Sequence, residues 1–245
     1  MSCSILCRQL TLRYGQHVAV EDLDAEIESG SLTALIGPNG AGKSTLLDAI
    51  VGNRAPVRGQ IAVRNQGHGS IAYLPQHPQV DRSFPIDVAG LVAMGLWTRR
   101  GAWRRWRRQD REDVNHALET LGLVDHARRP ISALSGGEFQ RALFARILIQ
   151  DARLILLDEP FAAVDEQTSY ALQEIILRWH REGRTVMTVL HDLDLVRALF
   201  PEAMWLDRRK MAHGRTEAVL EDVQAVQDAR ENRRHKHVQV TTGAG

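Results

Sequence analysis

The chain has 245 residues, 44% hydrophobic and 25% charged, and its Lys plus Arg nearly balance its Asp plus Glu at a formal net charge of +1. That make-up suits a soluble globular protein with a large core. It gives no general pull toward nucleic acid, and charged or strongly polar residues interrupt every apolar run before it could span a membrane.

The first residues, Met1 to Arg8, are too short in their apolar part for a secretory signal, so a cytosolic location is expected unless a partner holds the chain at a membrane. Cys3 and Cys7 are the only cysteines. Their spacing on an expected strand puts them on one face. With no further Cys to complete a zinc site, two reduced thiols beside a cytosolic core is the better account. Residues 4–36 alternate and turn like an antiparallel β segment, with turns at Tyr14-Gly15 and Glu28-Ser29-Gly30.

Leu32-Thr33-Ala34-Leu35-Ile36 then reads as a buried strand and Leu46 to Val51 as a helix. Between them, Gly37-Pro38-Asn39-Gly40-Ala41-Gly42-Lys43-Ser44-Thr45 matches the phosphate-binding pattern G-x-x-x-x-G-K-[ST]. The glycines let backbone N–H groups face inward as an anion nest, and the helix start adds the positive end of its dipole. Lys43 reaches the β- and γ-phosphates in this pattern, and the Ser44 hydroxyl sits on Mg²⁺. Further short strands are expected at 61–63 and 71–74, the second broken by Pro75-Gln76.

Residues 86–126 change character. Val88, Leu91, Val92 and Leu96, then Val114, Ala117, Leu118 and Leu121, recur at helical spacing. An all-helical insert over about 86–150 therefore interrupts an α/β core. Inside it, Trp97 to Arg108 interleaves tryptophan with arginine. Such a stretch can bind nucleic acid, lie against anionic lipid, or be a solvated face whose tryptophans pack on the helices. Ser135-Gly136-Gly137 opens an apolar-periodic helix and makes a second anion nest. One nucleotide seldom needs two such nests, so the second is expected to close on a nucleotide held by another subunit.

Leu154-Ile155-Leu156-Leu157 is a buried strand ending in Asp158-Glu159, which presents two carboxylates at the carboxyl edge of the sheet, where open α/β sheets bind ligands. Asp158 suits a Mg²⁺ shell, and Glu159 can polarise the water that attacks a γ-phosphate. A helix at 168–180, a strand at 185–190 and a helix at 192–199 complete an alternation that argues a parallel sheet covered on both faces. Residues 1–230 form one expected domain, and the polar stretch 231–245, including the His-Lys-His group at 235–237, reads as a disordered tail.

With the phosphate loop, Leu134-Ser135-Gly136-Gly137-Glu138 and the Asp-Glu strand in order, the chain resembles an ATP-binding cassette (ABC) ATPase, the motor subunit of a transporter, over residues 4–220. The resemblance implies a P-loop core with a mainly parallel sheet, an N-terminal antiparallel β subdomain and the helical insert. It implies that Tyr14 stacks on adenine and that Gln76 contacts Mg²⁺ and the attacking water. It also implies that Asp165 couples the two sites of a dimer and that His191 contacts the γ-phosphate. Glu138 stands where many relatives have Gln, and Ala162-Ala163 where many have Ser-Ala.

The resemblance further implies a homodimer on the cytoplasmic face of the cell membrane, a separate integral-membrane permease docked on the helical insert, and an extracytoplasmic solute-binding protein. Ser83 to Gly95, with Phe84-Pro85 before a helix ending in Met94-Gly95, resembles importers of zinc, manganese and iron chelates. Importers of other solutes, exporters and nucleic-acid-associated ABC ATPases are the alternatives. Against the last, the span from Lys43 to Leu134 is too short for a long coiled coil and carries no sustained heptads, so no specific nucleic-acid partner is expected.

Overall fold

The computed structural model describes residues 3–64, 71–76, 78, 80–101, 106–162 and 164–242, without the side chains of 99, 100 and 230–242. Residues 102–105 of the Trp/Arg stretch and the side chains of the His-Lys-His group thus lie outside the described residues. Trp97 and Trp106, at its two ends, are half exposed.

Strands β1 (Ser4–Tyr14), β2 (His17–Ile27) and β4 (Arg58–Arg64) form an antiparallel sheet in the order β2-β1-β4. The second sheet takes β3 (Leu32–Ile36), β5 (Ile71–Leu74), β6 (Leu154–Asp158), β7 (Thr185–Val189), β8 (Glu202–Asp207) and β9 (Arg209–Arg215) in the order β5-β6-β7-β3-β8-β9. All its pairs are parallel except β8 with β9. The parallel strands are largely buried and mostly apolar because both of their faces are covered. On β6, Leu154 and Leu156 join the apolar core under the antiparallel sheet, while Ile155 and Leu157 join the core on the opposite side. Helix α1 (Lys43–Ile50) lies in the first of these cores, its Leu46, Leu47 and Ile50 packed with Ile5, Leu12 and Val20.

Every helix between β5 and β6 belongs to the insert: α2 (Val88–Ala93), α3 (Trp97–Arg100), α4 (Arg108–Thr120) and α5 (Gly136–Gln150), with short 3-10 turns between them. Side-chain caps fix where helices begin. Asp87 caps α2 by accepting the Gly90 N–H, and Ser135 caps α5 by accepting the Glu138 N–H. Asp165 and Asp192 do the same for α6 (Glu166–Arg181) and α7 (Leu193–Leu199). The insert and α6 share a core in which the Phe144 and Trp179 rings stack with centroids 5.4 Å apart.

Two features depart from the sequence reading. Residues 200–223, to which it gave no element, form the β8–β9 hairpin and the start of α8 (Thr216–Thr242). The stretch expected as a disordered tail from 231 continues α8 as far as Thr242. No Gly or Pro interrupts it before Gly243, and Glu231, Arg233, Arg234, Lys236 and Gln239 are good helix formers.

Candidate active site

The parallel register brings four strand ends to one edge. Leu35 and Asp158 both pair with Val189, and Leu74 pairs with Leu157. The residues that follow these ends are Gly37, Gln76, Glu159 and His191, which are distant in sequence.

The phosphate loop leaves β3 through Gly37, whose φ is +151° and whose missing Cβ would lie 2.0 Å from the Leu206 carbonyl oxygen. Gly42, with φ +95°, caps α1. The loop is braced from the β8–β9 turn, where the Arg208 N–H donates to the Ala41 carbonyl at 3.1 Å. Lys43 is almost fully buried, and its Nζ donates to the carbonyls of Gly37 at 2.8 Å and Pro38 at 3.0 Å. Burial lowers its pKa, against the opposing pull of Glu159 and Asp158.

Asp158 is 1% exposed, and neither of its carboxylate oxygens makes a hydrogen bond. Burial raises its pKa; the Ser44 hydroxyl and the Gln76 N–H stand near enough to favour the ionised form but do not offset it, and Glu159 adds to the rise. An unsatisfied buried carboxylate is costly. A hard divalent cation relieves that cost and takes oxygen ligands of this kind, so Asp158 and Ser44 fit Mg²⁺.

Glu159 has φ +53°, a left-handed conformation unusual for a residue with a Cβ. Its N–H donates to the Val189 carbonyl at 3.2 Å, and its carbonyl accepts the Ala162 N–H at 3.1 Å, which holds the turn. The conformation costs on the order of 1–3 kcal/mol and persists only where the surroundings impose it. His191 Nε2 lies 2.7 Å from Glu159 Oε1.

Tyr14, Asn39 to Thr45, Gln76 and Glu159 line one cleft of about 430 Å³. Ser44, Gln76 and Asp158 open into a second, about 810 Å³, which runs between α1 and α5 to Leu143 and Arg146. Gly37, Pro38 and His191 line a smaller cavity beside Trp205 and α8. Ser135, Gly136, Gly137 and Asp165 line none of the three. They stand instead at the starts of α5 and α6.

Four basic cleft residues escape the sequence reading. His17 and Arg208 line the phosphate-loop cleft. Arg54 places its guanidinium 5.1 Å from the Tyr14 ring centroid, and Arg146 lines the larger cleft. None belongs to a local pattern; only the fold brings them there. Cys3 and Cys7 are buried thiols that form no disulfide, and no metal-holding group of three or more His, Cys, Asp or Glu occurs among the described residues.

Residues 20–162 match the family described as ABC transporter. The manganese transport system ATP-binding protein MntB of Listeria innocua is 36% identical over 212 residues, 85% of this chain and 88% of the relative. MntB of Bacillus subtilis is 37% identical over 215 residues, 86% of each. Among solved structures, a chain of a transporter assigned to the metal-chelate type of ABC transporter, in an inward-facing conformation, superposes with a TM-score of 0.76 at 29% identity. That superposition covers 91% of this chain and 88% of that one.

Proposed function

The chain belongs to the ABC transporter family as an ATP-binding, ATP-hydrolysing subunit, and from that premise we propose that it powers the import of a metal ion, manganese foremost, or of a metal chelate. The observation that carries the cargo is likeness along 85% and 86% of the chain to two manganese-transport ATP-binding proteins. The Phe84-Pro85 to Met94-Gly95 stretch supports the same class of importer, in which zinc stands beside manganese. No helix among the described residues is long and apolar enough to cross a membrane. Import therefore calls for a separate integral-membrane permease, with this chain on its cytoplasmic side, and for an extracytoplasmic solute-binding protein that delivers the cargo.

The ATP cycle we propose is that of a head-to-tail homodimer. Its support is that Ser135, Gly136, Gly137 and Asp165 stand away from the clefts lined by the phosphate loop, so one chain offers half a site. Tyr14 stacks on adenine, and backbone N–H groups of the loop with Lys43 hold the phosphates. Ser44, Gln76 and Asp158 would hold Mg²⁺, which when bound offsets phosphate charge. Glu159 polarises the attacking water, and His191 orients that carboxylate while contacting the γ-phosphate. Ser135, Gly136 and Gly137 of the second copy close on the same phosphate, and Asp165 couples the two sites. Loss of the γ-phosphate removes these contacts and opens the dimer, and the permease moves with it.

The direct test is to co-express the chain with its permease and measure manganese uptake with and without Lys43→Ala. Uptake should fall to background in the variant; unchanged uptake ends the import reading.

A further inference from the structure

The start of α5 carries a negative charge that suits the helix but opposes an incoming phosphate. Glu138 is the third residue after the Ser135 cap, and it closes a reciprocal pair: its N–H donates to Ser135 Oγ at 3.2 Å, and its Oε2 accepts the Ser135 N–H at 2.7 Å. The Ser135 N–H is thereby taken. The groups left to meet an anion are the Gly136 and Gly137 N–H groups and the Ser135 hydroxyl proton. A carboxylate beside them repels the phosphate they are meant to take. This chain keeps the negative charge there, and the pKa of Glu138 is lowered. The Ser135 N–H contributes most to that lowering, with further help from the Ser135 hydroxyl, His126 and Arg129.

The remaining oxygen, Oε1, is occupied from outside the helix. His126 Nε2 lies 2.8 Å from it and Arg129 Nη1 3.5 Å. His126 and Glu138 are both largely shielded, with 23% and 20% of their side chains exposed. His126 Nδ1 is buried with no hydrogen-bond partner, so Nε2 is the ring's bonding nitrogen and points at Glu138. Both residues are anchored independently of α5. The Arg129 N–H donates to the His126 carbonyl at 2.8 Å, and Arg129 Nη2 to the Ala133 carbonyl at 3.1 Å. The first turn of α2 ties down the same segment, with the Val88 N–H on the Arg129 carbonyl and the Ala89 N–H on the Ala127 carbonyl.

We propose that His126 and Arg129 are positioning residues for the ATPase reaction: Arg129 offsets the charge of Glu138 and His126 holds its Oε1, so that the Ser135-Gly136-Gly137 nest accepts the γ-phosphate of the facing copy's ATP. The proposal rests on the head-to-tail homodimer proposed above, a clamp that closes on nucleotide. It concerns affinity for nucleotide and not the chemical step, because neither residue touches the reacting atoms.

Steady-state ATPase assays on the full-length chain separate these ideas. His126→Ala combined with Arg129→Ala should raise KM for ATP about tenfold, the scale of one charge-assisted contact, with kcat changed less than about twofold. Glu138→Gln, which removes the charge but keeps an acceptor for the Ser135 N–H, should bring KM in the triple variant back to within about twofold of wild type. His126→Gln, which retains a donor, should rescue the single-site defect. Loss of kcat at unchanged KM, or no recovery through Glu138→Gln, overturns the proposal. Ser135→Ala tests the clamp itself. If it leaves KM and kcat untouched, the clamp and this proposal both fail; if it acts while the His126 and Arg129 changes do not, only this proposal fails.

Discussion

His191 Nε2 and Glu159 Oε1 are 2.7 Å apart, joining residues that leave the ends of adjacent parallel strands. The bond is a product of register: Asp158 faces Val189 across the β6–β7 ladder, so the residues just beyond them emerge side by side. The left-handed turn at Glu159 completes the approach. His191 follows a strand that is buried along its whole length, and its own ring is 43% exposed.

From this geometry, Glu159→Gln should lower ATP turnover by about a hundred- to ten-thousand-fold, the range for removal of a general base. ATP affinity should hold, since Lys43 and the loop N–H groups are untouched, and the variant should accumulate as a nucleotide-bound dimer on size exclusion. His191→Ala should also be slow, because it loses the bond to Glu159 and the phosphate contact proposed for it. Full turnover in Glu159→Gln would remove that residue from the chemistry.

The phosphate loop makes a sharper distinction among its own glycines. At Gly37 an added Cβ meets the Leu206 carbonyl oxygen at 2.0 Å, whereas at Gly40, with φ +78°, nothing lies within 4 Å. Gly40→Ala should therefore cost only the left-handed strain, about 1–2 kcal/mol. Gly37→Ala adds backbone displacement between β3 and β8, about 1–3 kcal/mol more, and should abolish ATP binding. Urea midpoints and nucleotide titrations on both variants check the ranking; equal effects would mean that the Leu206 contact does not set the loop.

How legible was this in the sequence? The phosphate loop and the Asp158-Glu159 strand end are local patterns, each a strand followed by its functional residues, so their chemistry can be read without the fold. The ABC resemblance supplied Gln76 and His191, which follow strand ends at the same sheet edge as the loop, and Tyr14, which ends β1 of the other sheet and lines the loop's cleft. The β8–β9 hairpin escaped because β8 begins and ends in a carboxylate, Glu202 and Asp207, and its partner β9 is mostly polar and only partly covered. Arg54, Arg146 and Arg208 escaped for a different reason: their positions depend on strand order and helix packing, which no window of residues encodes. The Glu138 network is intermediate. The cap is a sequence pattern, but His126 and Arg129 reach it through a loop that α2 holds in place.

Asp165 gives the pH dependence its clearest sign. Its carboxylate accepts the Thr168 N–H at 2.8 Å and the Thr168 hydroxyl at 2.9 Å. These bonds, the N–H first, hold its pKa below the ordinary 3.8. A group whose folded pKa is depressed contributes stability that is fully present above its unfolded value and is lost as pH falls through the folded one. Wild-type urea midpoints should therefore fall below about pH 4 by more than those of Asp165→Asn, which keeps a cap but cannot titrate. Parallel curves for the two proteins would show that Asp165 is not a source of the acid sensitivity.

The two cysteines provide a test of the antiparallel sheet. Cys3 and Cys7 are 0% and 4% exposed. Burial, aided by the Asp24 charge, pushes the Cys7 thiol up to about 12. The thiolate is the reactive form, so at about pH 8 Cys7 is both covered and almost entirely protonated. Neither thiol should react with a water-soluble disulfide reagent in the folded chain, and both should react in denaturant. Because β1 is the middle strand of its sheet, exposure of Cys7 requires that sheet to open, and with it the core around α1. The slow labelling rate should therefore track denaturant concentration as unfolding does. Rapid labelling of Cys7 at low denaturant would mean that the sheet opens locally, independently of the core that carries the phosphate loop.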